Sequence, residues 1–284
     1  MPMEGMNLMI NAEKRTKRLL FIELIVWWEG SICNKQLQDE FSISRQQAYQ
    51  DLKSYQQDNP ENLISISGGY QASKVFSAKY ISLDAAQYLQ WFSVGQLYLT
   101  SHINPQTELL ILPKRRVTAE LIRQLVLAIR QKKRLEVDYV SLSNPETDGR
   151  IFHPHTFVNT GLRWHVRGYC EKSRAYRDLV LSRFRGQAEL LDNSEHGIAQ
   201  DHAWQTHISL ILQPDPRLNA EKQAVLANDY QMEGGQLILN TRAALANYLL
   251  DELQVNTKML DGTPEARQLV LVNRDQVKPW LFAG

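Results

Sequence analysis

Eight cations fall between Arg150 and Arg185: Arg150, Arg163, Arg167, Lys172, Arg174, Arg177, Arg183 and Arg185. Only Glu171 and Asp178 oppose them, a local charge of +6 in a chain whose total is +1. The remainder nearly balances: about zero for residues 1–80, about +1 for 81–149 and about −6 for 186–284. Like charges this close repel, so the cluster must face solvent or meet a partner of opposite sign. Most are Arg, whose planar fork of donors matches phosphate and carboxylate oxygens. The chemistry indicated is anion binding. The segment alternates with a period of two, which predicts a surface built on strands rather than a basic tail.

A second constellation lies near the N-terminus. Ser42-Ile43-Ser44 reads as a turn, and Ser44 can cap a helix running from Arg45 to about Gln57. Ala48, Leu52 and Tyr55 fall at i, i+4 and i+7, which buries one face. The opposite face presents Arg45, Gln46, Tyr49, Gln50 and Lys53. Arg suits guanine edges, Gln suits adenine, and Lys holds backbone phosphates. This face is expected to read duplex DNA.

Both constellations need elements to position them. From Glu13, the residues Leu19, Leu20, Ile22, Leu24, Ile25, Trp27 and Trp28 form an apolar helical stripe that stops at Gly30. A short helix fits Asn34–Phe41, with Asn34 as its cap. After Pro60, two β-prone runs surround Gly68-Gly69 and predict a hairpin. Three helices followed by a hairpin make a winged helix-turn-helix, whose third helix enters the major groove. Residues 1–58 carry seven Lys and Arg against eight acids. Non-specific affinity should therefore be modest, and a dimer is needed for tight binding.

Residues 81–112 read as helical through Leu83, Ala86, Leu89, Trp91, Leu97, Tyr98 and Leu99, interrupted at Pro105 and ended at Pro113. A further helix starts at Thr118 and ends in the basic run Arg130–Arg134, where cations suit the helix dipole. That role, or a solvated linker, is preferred to a separate DNA contact. From Leu135 the period becomes two. Strands are expected from Leu135, over Ile151–Val158, over Arg163–Tyr169 and over Arg177–Phe184, and such short strands suggest a small barrel. The third separates Trp164, Val166 and Gly168 from Arg163, His165, Arg167 and Tyr169, and the cationic faces could converge at the rim. Beyond Thr206, strands and helices alternate as a small α+β domain. Its acidic balance and lack of a chemical motif suggest packing or dimerisation.

The bounds set by composition agree. A length of 284 residues exceeds one ordinary core. The apolar fraction is 43% and the charged fraction 22%, as in folded soluble proteins. No run approaches a membrane span, and Met1–Asn11 is not a secretory signal. Cys33 and Cys170 form no disulfide framework, so a reduced, cytoplasmic location is expected. There is no Gly-rich phosphate loop, HExxH, nucleophile elbow or kinase signature, so an enzyme is not expected. Carboxylates are also scarce where the cations are densest, against a metal-dependent nuclease there. His153 and His155 stand at i, i+2 without evident third and fourth ligands, and neither a metal nor a cofactor is expected.

Taken in order, these motifs resemble the WYL-domain transcriptional regulators. Ser44-Arg-Gln-Gln-Ala-Tyr-Gln-Asp51-Leu52 resembles the family's recognition-helix signature. Trp164-His165-Val166 stands where the family's Trp-Tyr-Leu triplet stands, departing at two positions. Tyr176-Arg177-Asp-Leu-Val-Leu-Ser-Arg183-Phe184 is similar to the following strand, and Arg150-Ile-Phe-His-Pro154 to the preceding one. Within the family the chain looks most like the phage-defence repressors of the BrxR and CapW type. The resemblance implies an α+β multidomain chain. Residues 12–80 would be the winged helix-turn-helix, 81–133 a helical linker, 134–205 a small Sm/SH3-like WYL β-barrel, and 206–284 a C-terminal α+β dimerisation domain. It further implies a homodimer on an inverted repeat upstream of a defence operon, and an anionic nucleotide or nucleic-acid ligand at the WYL domain. By that resemblance the ligand residues are Trp164, His165, Arg177 and Arg183. Charge and strand parity add Arg150, Arg163 and Arg167.

Other readings remain open at this level. Trp164 groups with Val166 and suits a core position better than a stacking platform. His165 serves either as a hydrogen-bonding ligand group or as a satisfied surface residue. Arg177 and Arg183 could instead pair with acids of the C-terminal region. A different class, an RNA- or single-strand-binding adaptor, would use the basic barrel with Tyr169, Tyr176 and Phe184 as its main surface. A protein–protein module with its cations held internally would bind neither probe.

Overall fold

The computed structural model describes residues 2–95, 113–255 and 262–281. Leu97, Tyr98, Leu99 and Pro105 of the expected linker helix lie outside these residues. In chain order the elements begin with α1 (Pro2–Trp28), β1 (Ser31–Ile32), α2 (Asn34–Phe41) and α3 (Arg45–Asp58). There follow β2 (Leu63–Ile66), β3 (Gly69–Ala72), α4 (Ala85–Val94), α5 (Ala119–Gln131) and β4 (Lys133–Tyr139). Next come β5 (Asp148–Asn159), β6 (Trp164–Cys170), β7 (Ala175–Val180), β8 (Phe184–Asn193) and α6 (His202–Gln205). The last are β9 (His207–Pro214), α7 (Ala220–Asp229), β10 (Leu237–Arg242), α8 (Ala246–Glu252), β11 (Leu269–Leu271) and α9 (Arg274–Val277).

Two compact units share these elements. The first comprises Met1–Gly149 with Leu181–Leu191, and the second Arg150–Val180 with Asp192–Gly284. In the first unit, α1 supplies Leu19, Phe21, Ile22, Ile25 and Val26 to a core completed by Leu37 of α2 and by Ala48, Leu52 and Tyr55 of α3. The helix starts at Pro2, well before Glu13. Cys33, not Asn34, is the N-cap of α2, its backbone N–H donating to Gln36 Oε1 at 2.8 Å. Ser44 caps α3 as expected, its hydroxyl accepting the Gln47 backbone N–H at 3.1 Å.

β2 and β3 pair antiparallel with Ile66 opposite Gly69, so the two-residue turn is Ser67-Gly68 rather than Gly68-Gly69. Gly68 takes the left-handed φ of +86° that this turn needs. Gly69 has another reason: a Cβ there would collide with the Ile32 carbonyl oxygen of β1, which pairs with β3. The two-residue strand β1 carries too short a pattern to be read in the sequence. Further on, Thr118 caps α5, accepting from Leu121 N at 3.3 Å, and Lys132 closes it with a left-handed φ of 53°. The basic run therefore straddles a helix end and the start of β4 at Lys133, two residues before Leu135.

In the second unit, β5, β6 and β7 form an open antiparallel meander. The register of β5 shifts between Pro154 and Thr156, a bulge at His155. The expected strand over Arg177–Phe184 is interrupted: β7 ends at Val180, Leu181–Arg183 form a 3-10 turn, and Phe184 opens β8. Beyond Thr206 strands and helices alternate, as the sequence reading expects. β9 is flanked by β10 and β11, both antiparallel, and Leu210 and Leu212 pack on Ala246 and Leu250 of α8. No described helix is long and apolar enough to cross a membrane.

Candidate functional site

On α3, the five predicted reading residues Arg45, Gln46, Tyr49, Gln50 and Lys53 are all exposed, as is the capping residue Ser44. Ala48, Leu52 and Tyr55 hold the opposite side in the core. What fixes the helix is polar as well as apolar. Asp51 is buried and accepts from Arg18 Nε of α1 at 2.6 Å and from Gln47 Nε2 at 3.1 Å. One turn on, the Tyr55 hydroxyl donates to Glu23 Oε1 at 2.8 Å and accepts from Asn62 Nδ2 at 2.9 Å. Glu23 is itself fully buried, and it also accepts the backbone N–H groups of Lys79, Tyr80 and Ile81 at 2.8–3.2 Å. Burial first, then the Glu23 charge, keeps the Tyr55 phenol well above its ordinary pKa, so it remains a donor. A buried carboxylate with this many donors is stable because each lone pair replaced water with a hydrogen bond. Sequence reading missed Arg18 and Glu23, since a charged residue on an apolar helix stripe looks like an ordinary solvated position.

The basic segment contains a different arrangement. Arg167 is buried, and its guanidinium donates from Nε and Nη2 to both oxygens of Asp201 at 2.6 and 3.0 Å. Its Nη1 donates to both oxygens of Asp178 at 3.1 Å. Tyr248 donates to Asp178 Oδ2 at 3.2 Å, and His155 Nε2 lies 3.1 Å from Asp201 Oδ2. Asp201 also caps α6 by accepting from Trp204 N, and the Trp204 indole lies under Arg167 and Arg242 at 6.0 and 5.0 Å. Burial works against the Asp201 carboxylate, but the His155 and Arg167 hydrogen bonds outweigh it and bring its pKa down to about 2. Asp178 moves the other way: burial dominates, and its pKa is raised despite Arg167. Burial likewise raises the Tyr248 phenol, keeping it protonated toward Asp178.

A cavity of about 270 Å³ opens on this cluster, lined by Arg167, Tyr176, Arg177, Asp178, Tyr248 and Trp280 among others. Its charged lining is Arg167, Arg177 and Asp178, and Arg167 is already paired with Asp178 and Asp201, so the local charge is not that of bare cations. Of the other residues expected to bind an anion, Arg150, Arg163 and Trp164 are half-buried, and His165 is buried beside Tyr248, with ring centroids 5.4 Å apart. Arg177 is exposed and stands opposite Gly168 in the β6–β7 ladder. The register therefore assigns it to the face opposite Arg167, although it contributes to the cavity lining. Arg183 belongs to the first unit, in the 3-10 turn. At Arg167 itself the structure shows an internal ion network with Asp178 and Asp201 rather than a solvent-facing cation. Both faces of β6 are buried, with Val166 and Cys170 on one and His165 and Arg167 on the other. Alternation in the sequence marked the second face as polar, but partners remote in sequence cover it.

His153 and His155 go to separate partners. His153 lies 2.7 Å from Ser194 Oγ and 3.0 Å from Glu171 Oε1, whereas His155 faces Asp201. No group of three or more His, Cys, Asp or Glu side chains suited to a metal ion occurs among the described residues.

Comparison with known proteins matches three regions in order along the chain. Residues 14–94 match the BrxR transcriptional regulator winged helix-turn-helix domain, residues 120–188 the WYL domain, and residues 207–277 the BrxR transcriptional regulator C-terminal dimerization domain. The chain is 34% identical over 270 residues to the DNA-binding transcriptional repressor CapW of Pseudomonas aeruginosa, covering 92% of this chain and 90% of that one. It is 34% identical to CapW of Escherichia coli, with the same two coverages of 92% and 90%. CapW of Stenotrophomonas maltophilia is 28% identical over 94% of this chain and 92% of its own. Among solved structures, proteasome accessory factor B/C of Arthrobacter aurescens aligns at a TM-score of 0.27 and 16% identity, over 94% of this chain and 48% of that one, too distant to bear on the fold. With a winged helix-turn-helix region, a WYL region and a C-terminal region each matched in order, and CapW relatives aligned along nearly the whole length, the chain belongs to the BrxR/CapW family of WYL-domain transcriptional regulators.

Proposed function

We propose that this protein is a cytoplasmic homodimeric repressor that binds an inverted-repeat operator, controls a phage-defence operon and responds to an anionic nucleotide or nucleic-acid ligand. The observation that carries the DNA-binding part is the recognition helix. It is capped at Ser44, exposes Arg45, Gln46, Tyr49, Gln50 and Lys53 together, and is clamped from behind by Arg18–Asp51 and Glu23–Tyr55. Reading side chains on a rigid helix carry less entropy cost than the same groups on a loop. Names of the CapW relatives support the repressor reading, and the matched C-terminal region supports the homodimer.

Ligand control is assigned to the strand region of the WYL match, including its closure into a barrel. Arg150, Arg163, Trp164, His165 and Arg177 are retained as ligand-facing candidates, with the aromatic-lined cavity as the place to look. Arg167 has another part: already saturated by Asp178 and Asp201, it holds the strands' shape and cannot donate to an incoming phosphate without breaking an ion pair. A ligand shifts DNA affinity only if it binds one arrangement of the dimer more tightly than another.

Fluorescence anisotropy on duplex from the protein's own upstream intergenic region tests the reading. A scrambled duplex and a single strand are run beside it at two salt concentrations. Sequence-dependent duplex binding with a modest salt slope is the expected result. Equal binding to all probes, or preference for the single strand, would move the function to the strand region instead.

A further inference from the structure

The basic run at the end of α5 opens with a cation that neither DNA reading nor ligand binding uses. Arg130 reaches back to the end of α1, where its Nη1 and Nη2 donate to the two oxygens of Glu29 at 2.8 and 2.9 Å. Two turns earlier on the same face of α5, Arg123 donates from Nε to the Trp27 carbonyl oxygen at 2.8 Å, and its Nη2 shares that acceptor. The Arg123 guanidinium also lies over the Trp27 indole, 5.6 Å from the ring centroid. The Glu29 side chain is only 8% exposed, and it accepts a further hydrogen bond from the Tyr88 hydroxyl of α4 at 3.1 Å. Burial first, then the Glu29 charge, raises the Tyr88 phenol, so it remains a donor. Trp28 stacks on Tyr88 at 5.8 Å, and Arg130 lies 5.8 Å from the Phe92 ring centroid.

A helix end needs less than this. One cation satisfies the last carbonyls and suits the dipole, whereas here two arginines of a single helix grip the end of α1. That helix leads straight into the next sheet. Lys132 alone separates α5 from β4, and its left-handed turn, φ 53°, is fixed by its N–H bonding back to the Ala128 and Ile129 carbonyls. All these residues lie in the first compact unit, yet Trp27, Glu29, Tyr88 and Phe92 fall in the region matched as winged helix-turn-helix and Arg123 and Arg130 in the region matched as WYL. Elsewhere on α1, Arg18–Asp51 and Glu23–Tyr55 hold α3. The recognition helix is therefore tied to β4 through α1 and α5, with a polar clamp at each joint. We propose that Arg123 and Arg130 are positioning residues for operator recognition: by gripping the end of α1 they set the direction in which α3 is held from β4, and so the half-site spacing that a dimer accepts. The proposal rests on the homodimer and inverted-repeat reading above and assigns its spacing selectivity to residues outside α3. A rigid joint concentrates the second recognition helix at one separation. A loose joint spreads it over many, which lowers the effective concentration at the best spacing and narrows the difference from the others.

The experiment measures anisotropy of the full-length protein on duplexes carrying the inverted repeat found by footprinting its own upstream intergenic region. The spacer is changed one base pair at a time over about one helical turn, and a duplex with a single half-site is run beside the series. The parent should show one sharp optimum. Arg130→Ala removes a side chain that is 52% exposed and leaves Glu29 its Tyr88 donor, so the fold should survive it. This variant should lose at least about tenfold at the optimum, lose much less at neighbouring spacings, and bind the single half-site as the parent does. Arg123→Ala should repeat the pattern. Arg130→Lys, which keeps the cation but not the two-pronged hydrogen bond, should fall between parent and Arg130→Ala. A loss that is uniform across spacings, or that appears on the single half-site, would show that the arginines only stabilise the reading domain; that outcome, like an unchanged profile, overturns the proposal. A parent that binds two half-sites no better than one overturns the inverted-repeat reading itself, and this inference with it.

Discussion

Arg45 and Gln46 stand at the exposed start of α3, one helical turn before Tyr49 and Gln50 and two before Lys53. Their lack of burial means that truncation removes the proposed DNA contact without opening the core. Arg45→Ala should therefore weaken binding to the preferred duplex by about 1–3 kcal/mol while leaving the melting temperature in place. Lys53→Ala should weaken preferred and scrambled duplexes alike and reduce the salt slope by about 1, as expected for a lost phosphate contact. Titrations at several salt concentrations separate the two. The residue-scale prediction at the second cluster concerns acid. Asp201 has a folded pKa of about 2, below the value of about 3.9 ordinary for the unfolded chain. Its ionised form thus stabilises the fold fully above about pH 4, and that contribution is lost as pH falls toward 2. Asp178, raised by burial, acts in the opposite sense and offsets part of the loss. Asp201→Asn should cost about 3–5 kcal/mol at pH 7, because it leaves Arg167 buried against one carboxylate fewer. In urea unfolding, the gap between parent and variant should narrow between about pH 4 and pH 2; a gap independent of pH would show that Asp201 does not stabilise through its charge.

At the scale of elements, α1 and α3 are joined by two polar clamps one turn apart, Arg18–Asp51 and Glu23–Tyr55. Glu23 additionally receives the backbone of Lys79–Ile81, so the chain leaving the wing is tied to the same helix. Glu23→Ala would take the acceptor from the backbone N–H groups of Lys79, Tyr80 and Ile81 and from the Tyr55 hydroxyl, each group left unsatisfied out of water costing about 1–3 kcal/mol. The expected result is a large drop in melting temperature and faster amide exchange at residues 79–81. Unchanged exchange there would mean that the segment is held by its side chains instead. Much of this element level was legible in the sequence. The apolar stripe of α1, the Ser44 cap and the Ala48/Leu52/Tyr55 face all follow from local periodicity. Local rules did not reach β1, whose two residues exist as a strand only because β3 lies beside them. Nor did they reach the break at Leu181–Arg183, where an alternating sequence turns out of the sheet.

For the molecule as a whole, the matched regions lie along the chain in the order of DNA reading, WYL and dimerization. A dimer presenting two recognition helices should bind two half-sites spaced by about one helical turn far more tightly than one, since the second contact becomes intramolecular. A duplex with one half-site scrambled should lose at least tenfold in affinity by anisotropy; equal affinity would indicate that one protomer reads DNA alone. The sequence by itself determined the winged helix-turn-helix, the exposed polar face of α3 and the alternating C-terminal elements, because caps, helical periodicity and two-residue turns are decided by neighbours a few positions apart. It also located the excess of cations between Arg150 and Arg185. Tertiary structure alone decided what that charge does at Arg167, where Asp178 and Asp201 close on a guanidinium from eleven and thirty-four residues away. Sequence period tells which side of a strand a residue takes; only the folded chain decides whether that side meets water or a buried carboxylate.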